Sequence, residues 1–505
     1  MSRYHAHQRQ PALLAAGLGS AALLFGSAHA QSPTEEPTVE QGPEPTVSAE
    51  PGPMQRASAS SEQIGAGTLM NPSISVILDG VYGNEFSGHV GDPGGFGMGH
   101  SHGHDHGHDH AHGIEDGFQL RETEIAFEAS VDPYFDAFAM LVIEGTDHID
   151  LEEAYFTTRS LPWGLQVKAG RFLSDVGYIN SQHPHEWDFV DRPLVSEHLF
   201  GDHGIQEIGA QLNWLAPTRT YLKFGAEILE GETSGIAAYE GETSTRPGWI
   251  ESPDDDGDEP GRFRTDELDL PFSDSTGPRL ATLFAKWGPD LGFNHAAQFG
   301  ISGGYAQAWQ RMEEHSEGLR VEAWDGDAWF AGLDAVYKFD PPGSYQGTGQ
   351  LTLQGEYFYR NIDADYYYYN SDFERDEVDS GEGYWQRDTA SADRTSGRFK
   401  QDGLYVQAVY GIAPRWRTGI RAEALGLLEN QAWHDRDDGN GYADLDTSYR
   451  YSANVTFYPS HFSYIRAQVN YSDFAADSPG GSGEDAWQAM LQYNLSLGAH
   501  GAHPF

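Results

Sequence analysis

Apolar and polar residues alternate with a period of two through most of the chain after Asn71. Within 487–497 every second residue is apolar or aromatic, and most of the residues between them are polar. The stretches 351–359 and 465–471 follow the same pattern. Alternation of this kind predicts β-strands with one face in an apolar environment and the other in water.

Sixteen strands are predicted in this way, and the number is even. They lie at 72–83, 118–131, 134–144, 149–159, 164–174, 205–215, 219–230, 279–288, 295–310, 327–340, 347–362, 401–413, 415–428, 447–458, 461–473 and 485–498. Short turns such as Asp132-Pro133 alternate with long polar connections. With both chain ends in the periplasm, every short turn falls on the periplasmic side. The pattern therefore predicts an all-β protein, a porin-like transmembrane antiparallel barrel.

The chain before the first strand has the features of an exported protein. Arg3 and Arg9 precede an apolar segment at 13–25, and Ala28-His29-Ala30 has the small-x-small cleavage pattern. Residues 1–30 are therefore predicted to be a signal peptide. Residues 31–70, rich in Pro and Glu, are predicted to be a disordered periplasmic segment before the barrel of 71–505. These features favour the Gram-negative outer membrane over a soluble β-sandwich.

Composition and charge narrow the function. The formal charge of −47 repels nucleic acid and attracts cations. The absence of cysteine removes disulfides and thiolate metal sites. We find no phosphate-binding glycine loop, HExxH or nucleophile elbow, so no enzyme activity and no tightly bound cofactor are expected.

The segment 99–113, GHSHGHDHGHDHAHG, is the strongest chemical signal. Its imidazoles and carboxylates are ligands for a borderline metal such as Zn²⁺, although a solvated loop with idle histidines is the alternative. Strand parity places the segment in the first extracellular loop. The predicted metal-binding residues are His100, His102, His104, Asp105, His106, His108, Asp109, His110 and His112.

A second cluster lies in the third long loop, which in porin-like barrels often folds into the pore. We expect either a constriction with a second metal cluster or a loop whose side chains satisfy local hydrogen bonds. The candidate residues are His183, His185, Glu186, Asp188, Asp191, His198 and His203.

Alternation also assigns charged residues to the lumen. Strands two to four supply an acidic side, and later strands add mixed charges. The predicted lumen residues are Glu122, Glu124, Glu128, Asp136, Glu144, Glu153, Lys168, Lys223, Arg421, Glu423 and Arg466. Cations are expected to descend along strands two to four, unless these charges merely pair across the barrel.

The stretch 161–195, LPWGLQVKAGRFLSDVGYINSQHPHEWDFVDRPLV, together with NPSISVILDG and SLGAHGAHPF, resembles a family of proteobacterial outer-membrane proteins. That family is described as zinc-regulated, is often labelled TonB-dependent receptor, and is similar to phosphate-selective porins. The resemblance implies a sixteen-stranded porin-like barrel, homotrimers and a part in zinc uptake. The terminal Phe505 matches the aromatic residue by which the barrel-assembly machinery recognises its clients.

The sequence therefore predicts a channel in outer-membrane lipid that takes up zinc or another divalent cation, with the His-rich loop collecting the metal. Small solutes would diffuse through a polar lumen. Two alternatives stay open: an anion or phosphate porin served by the inward Lys and Arg residues, and a metal-binding surface receptor of TonB-dependent type without an open pore.

Overall fold

The computed structural model describes residues 67–68, 72–97, 114, 116–145, 148–241, 244–245, 249–251, 262–264, 268–269, 272–315, 320–376, 384–389, 393–433 and 442–498. Several predicted segments lie outside the described residues: the signal peptide 1–30, the segment 31–70 except Gly67–Thr68, the His-rich segment 99–113 and Phe505. Those predictions are untested.

Sixteen long strands form one closed antiparallel barrel, as predicted. They are β1 Ser73–Ser87, β2 Gly117–Ser130, β3 Phe135–Glu144, β4 His148–Thr158, β5 Leu165–Leu173, β6 Gln206–Leu215, β7 Tyr221–Leu229, β8 Leu280–Gly288, β9 His295–His315, β10 Arg320–Phe339, β11 Leu351–Asp376, β12 Asp393–Ala413, β13 Trp416–Trp433, β14 Ser448–Ser460, β15 Ser463–Phe474 and β16 Glu484–Gly498. Each strand pairs with the next, and β16 pairs with β1 from Gly498↔Ser75 to Trp487↔Ser87.

The outer face of the barrel is apolar and the inner face is polar. Outward side chains near mid-strand, such as Leu283, Leu333 and Ile420, are more than half exposed, whereas their inward neighbours Thr282, Asp334 and Arg421 are buried. An apolar band around a closed barrel is the surface that a lipid bilayer covers. The protein is therefore a Gram-negative outer-membrane barrel. None of the helices in the described ranges is long and apolar enough to cross a membrane.

Several strands are longer than predicted. Strands β9 to β13 continue beyond the expected ends on the extracellular side, where β11 alone runs for 26 residues. A short strand, Tyr384–Thr389, pairs with the outer end of β11, and Tyr442–Asp444 pairs with the outer end of β13. At the periplasmic end, Gly67–Thr68 pairs in parallel with the last residues of β2.

Two of the β-bulges of the barrel lie in its acidic wall and interrupt the regular alternation there. Between β1 and β2 the register shifts at Asp79/Gly80, which leaves Arg121 as an extra residue. Between β3 and β4 it shifts at Met140/Leu141, which leaves Glu152 as an extra residue. A bulge turns two consecutive side chains toward one face. Arg121 and Glu152 consequently point into the lumen beside Glu122 and Glu153.

The third extracellular loop, residues 174–205 and hereafter L3, crosses the lumen. Glu356 on β11 accepts hydrogen bonds from the backbone N–H groups of Tyr178 and Ile179 at 2.9 and 2.8 Å. On the facing wall, His185 bonds to Glu124 of β2. Because β2 and β11 lie about half a circumference apart in the sixteen-stranded ring, L3 spans the barrel.

An apolar plug fills much of the extracellular half of the lumen on one side. Its centre is the short helix α1, Leu194–Phe200, within L3. Leu194, Leu199 and Phe200 pack with Ile236 of the fourth loop and with inward residues of the wall, including Phe330, Phe358, Tyr405 and Leu425. The expectation of a uniformly polar lumen is therefore wrong in this region, because alternation assigns a side chain to a face and cannot reveal that a loop covers that face.

Candidate functional site

The histidines of L3 meet the acidic wall in a group that we call the acid–imidazole junction: Glu122, Glu124, Glu152, Glu153, His183 and His185. His183 lies between two carboxylates, with Nε2 3.0 Å from Glu153 Oε1 and Nδ1 3.5 Å from Glu152 Oε1. His185 Nδ1 lies 2.7 Å from Glu124 Oε1. Two imidazole rings are therefore held against two strands of the wall.

Local backbone geometry presents the two rings together. Pro184–Glu186 forms a single 3₁₀ turn, and the Glu186 carboxylate accepts the His183 N–H at 3.2 Å. The rings of His183 and His185 are consequently almost parallel, 6° apart, with centroids separated by 5.9 Å. The Tyr464 hydroxyl of β15 donates to the His185 carbonyl oxygen at 3.0 Å and fixes the turn from the other side.

Acidic groups are in excess at the junction. Four carboxylates face two imidazoles, and the oxygens Glu122 Oε2, Glu124 Oε2 and Glu152 Oε2 are buried with no hydrogen-bond donor in the part of the chain that the structure describes. Burial alone would lower the pKa of His183, but the neighbouring carboxylates of Glu152 and Glu153 raise that pKa well above its usual range. Buried carboxylate oxygens without donors are costly, and a cation relieves that cost.

The junction is not a pre-formed metal centre. Within the described ranges, no three His, Asp or Glu side chains are arranged around one metal ion. His183 and His185 are instead engaged by the carboxylates with which they would share a metal. A divalent ion would have to enter between L3 and the wall and exchange with these contacts.

Asp191 belongs to a different group from the histidines. Its carboxylate accepts hydrogen bonds from Arg421 at 2.6 Å, Gln468 at 2.6 Å, Asn470 at 2.9 Å and Arg450 at 3.3 Å. Burial alone would raise the pKa of Asp191, but Arg421 and Arg450 lower it. This set, the Asp191 clamp, fastens L3 to β13, β14 and β15.

The other predicted residues of the loop are also dispersed, and the structure does not bring them together with His183 and His185. Glu186 and Asp188 face a periplasmic cavity. His198 is buried in α1, with its ring 6.4 Å from that of Phe96. His203 is exposed beyond the helix. The turns of L3 send neighbouring residues to different walls, which spacing along the sequence does not show.

The predicted lumen residues all lie on the inner face, although their roles differ. Glu144, Glu122, Glu124, Glu128 and Asp136 descend along β2 and β3, and Asp136 pairs with Arg159 at the periplasmic end. Lys168 Nζ lies 4.5 Å from the centroid of the Tyr155 ring. The remaining residues engage loops or strands: Lys223 pairs with Asp175, Glu423 accepts the Leu194 N–H, and Arg466 bonds to Thr456 and Gln492.

A cavity of about 1290 Å³, here called the vestibule, lies below L3. Periplasmic turns form its rim, and Gln182, His185 and Trp187 of L3 form part of its inner end. Within the described chain its lining includes no extracellular segment other than L3. The loop therefore separates the vestibule from the extracellular half of the barrel.

A curated relative shows the family to which the chain belongs. Over 394 residues it is 34% identical to an uncharacterized protein of Aquifex aeolicus (strain VF5), and the alignment covers 77% of this chain and 70% of that protein. The chain belongs to the same family. No protein-family model matches it.

Solved outer-membrane proteins are more distant. The chain is similar to OmpT of Vibrio cholerae in a trimer form, with 9% identity and a TM-score of 0.43, covering 86% of this chain and all of that one. The outer membrane channel DcaP of Acinetobacter baumannii is 12% identical with a TM-score of 0.43, covering 86% of this chain and all of that one. Pseudomonas putida OprB is 10% identical with a TM-score of 0.39, covering 85% of this chain and 94% of that one. The porin-like assignment therefore rests on the strand topology itself, and none of these descriptions mentions zinc or TonB.

Proposed function

We propose that this family member is an outer-membrane channel for small cations, with zinc or another divalent cation as its cargo, and that the acid–imidazole junction selects the ion. The observation that carries the proposal is the set of three buried carboxylate oxygens without donors beside two histidines. Imidazole nitrogen and carboxylate oxygen together suit Zn²⁺ and similar borderline metals.

The position of the junction suits transit. Acidic residues continue above it to Glu144 and below it to Glu128 and Asp136, so a cation meets negative charge along the wall of β2 and β3. The lack of a pre-formed coordination shell also fits, because an ion that is bound tightly cannot leave. In this mechanism the cation is enriched at the acidic wall, exchanges through the junction and continues into the vestibule.

The His-rich segment 99–113 has a supporting role in the proposal. In the sequence it stands between β1 and β2, which supports its predicted place in the first extracellular loop, and β2 carries Glu122 and Glu124. Loosely held ions would therefore be released at the top of the acidic wall. A homotrimer and recognition by the assembly machinery through Phe505, both implied by the resemblance, stay predictions.

Glu124→Gln and Glu152→Gln test the junction. Each change keeps the side-chain shape and removes one carboxylate whose second oxygen lacks a donor. We expect the intact chain to be cation-selective in planar bilayers under a salt gradient, and Zn²⁺ to block its monovalent current. Each variant should need about tenfold more Zn²⁺ for the same block, which is typical of disturbing a metal site.

Glu128→Gln is the matched control, because it removes a carboxylate from the same face of β2 away from L3. Its zinc block should equal that of the intact chain. An anion-selective reversal potential, or equal zinc block in all four proteins, would overturn the proposal.

Deleting 99–113 tests the collecting role of the loop in the same bilayers. We expect the zinc concentration for half-block from the extracellular side to rise, because fewer ions are concentrated at the entrance. Block from the periplasmic side should not change. Identical extracellular block would remove the His-rich segment from the mechanism and leave the junction proposal standing.

A receptor without an open pore is the second candidate, and the apolar plug favours it. With α1 packed against Phe330 and Phe358, much of the lumen is filled. The TonB-dependent form of this idea has less support, because such transporters are 22-stranded barrels. Arg421 gives little support to the anion-porin alternative, because its charge is paired with Asp191 and Glu423. Absence of any conductance would favour the receptor.

A further inference from the structure

The inner wall of the vestibule carries two arginines that have no carboxylate partner among the described residues. Arg466 is buried, and its only hydrogen bonds in the described chain run to Thr456 Oγ1 at 3.1 Å and Gln492 Oε1 at 2.8 Å. Arg417 donates to Gln350 Oε1 at 3.1 Å. Both arginines line the vestibule. Elsewhere on the inner wall Arg121 pairs with Asp79, and Arg450 pairs with Asp191.

The strand register places the two arginines in one row. Arg417 of β13 is opposite Thr456 of β14, Thr456 is opposite Arg466 of β15, and Arg466 is opposite Gln492 of β16. Neighbouring strands are about 4.8 Å apart, so the two arginine backbones are separated by about 10 Å. Both long side chains can therefore reach one small molecule between them.

Two tyrosines hold the guanidinium groups in place. The Arg417 guanidinium lies 5.1 Å from the centroid of the Tyr458 ring, and that of Arg466 lies 4.7 Å from the centroid of the Tyr464 ring. The two rings contact each other at 5.8 Å. A cation–π contact and neutral hydrogen-bond acceptors orient each planar group, and most of its five N–H donors have no acceptor within the described chain.

The acidic residues of the vestibule do not neutralise this pair. Glu186 and Asp188 of L3 line the same cavity, but within the described chain neither Arg417 nor Arg466 forms an ion pair with a carboxylate. Among the described residues, the cavity wall therefore combines the buried, unpaired charge of Arg466 with the half-buried guanidinium of Arg417. Such a charge is costly unless a counter-ion compensates it.

We propose that Arg417 and Arg466 form a binding site for a small oxyanion, a carboxylate or a phosphate, that enters the vestibule from the periplasm. The planar guanidinium fork matches both groups in a bidentate arrangement, whereas a spherical halide matches neither. The site shares no residue with the cation junction, although Tyr464 contacts the Arg466 guanidinium and also donates to the His185 carbonyl oxygen.

Equilibrium dialysis of the folded full chain in detergent, against radiolabelled inorganic phosphate or acetate, tests the site. Saturable binding of at least one probe is expected, and excess chloride should not displace it. Binding of phosphate alone or acetate alone identifies the group. Arg417→Gln and Arg466→Gln should each weaken binding about tenfold, because each removes charge-assisted hydrogen bonds.

Arg219→Gln is the control, since Arg219 lines the same cavity from an exposed turn and its loss should leave the affinity unchanged. Arg466→Lys, which keeps the charge and loses the fork, should bind more weakly than the intact chain. The proposal is overturned by absent saturable binding, by displacement with chloride, or by equal losses in Arg219→Gln and Arg466→Gln. Mobility shifts on heating confirm that each variant is a folded barrel.

Discussion

Replacing Asp191 by alanine is expected to release L3 from β13, β14 and β15. Arg421 keeps Glu423, but Arg450 loses its carboxylate partner and is left with Ser472 and the Phe474 ring. Removing one member of a buried ion pair typically costs about 3 kcal/mol or more. Hydrogen exchange of the backbone within 184–194 should therefore accelerate strongly, while exchange in the barrel strands stays slow.

Asp188→Asn is the matched control for this change, because Asp188 lies three residues away and its carboxylate makes no hydrogen bond within the described ranges. Exchange in L3 should then resemble that of the intact chain. Equal exchange in Asp191→Ala and the intact chain would show that the clamp does not hold the loop.

The pH dependence of the clamp follows from the lowered pKa of Asp191. The pKa of an aspartate in the unfolded state is about 3.9. When its pKa is lower in the folded state, the carboxylate stabilises the fold fully at every pH above the unfolded value. Its contribution disappears only as the pH falls through the lower folded value. The protection of 184–194 that is attributable to Asp191, that is, exchange corrected for the intrinsic pH dependence of amide exchange, should therefore be unchanged between pH 7 and pH 5.

The barrel was predictable because its determinants repeat along the chain. Each strand has the same alternation, and turn length alternates from one connection to the next, so sixteen weak signals reinforce one another. The same rule assigned Glu124, Glu153 and Arg421 to the inner face. The outer ends of β9 to β13 were not predicted as strands. Strands outside the bilayer need no apolar face and therefore lose the alternating pattern.

Alternation missed Arg121 and Glu152, which a regular strand would turn toward lipid. The signal that reveals them is the consecutive charged pair, Arg121-Glu122 and Glu152-Glu153. A regular strand would place one member of each pair in the hydrocarbon, at a cost of a few kcal/mol. A bulge places both members inside, so adjacent charges in a barrel strand predict a bulge and, here, part of the site.

The path of L3 could not be predicted from sequence patterns, because it depends on contacts between residues that lie far apart in the sequence. Glu356 binds Tyr178, and Gln468 accepts the Val190 N–H at 2.7 Å. Neither pair has a spacing that singles it out. The separation of Asp191 from His183 and His185 follows from the same wall contacts, and so does the burial of α1.

Phe200→Ala is expected to loosen the apolar plug and raise the conductance of the channel. The ring of Phe200 is buried, and it meets those of Phe330 and Phe358 edge to face, with centroids 5.1 and 5.0 Å away. Truncating a buried phenylalanine costs about 3–5 kcal/mol. Because the strand ladders do not include Phe200, the loss should fall on α1 and leave the barrel folded.

Bilayer conductance together with hydrogen exchange in 194–200 measures this effect, and Phe156→Ala is the control because Phe156 faces lipid. If the protein is a channel limited by the plug, Phe200→Ala should accelerate exchange in α1 and increase the single-channel current several-fold, and Phe156→Ala should do neither. Faster exchange without more current would mean that the plug does not limit flow. The acid–imidazole junction would then be the narrowest point of the pathway, and Zn²⁺ should block both variants at the same concentration.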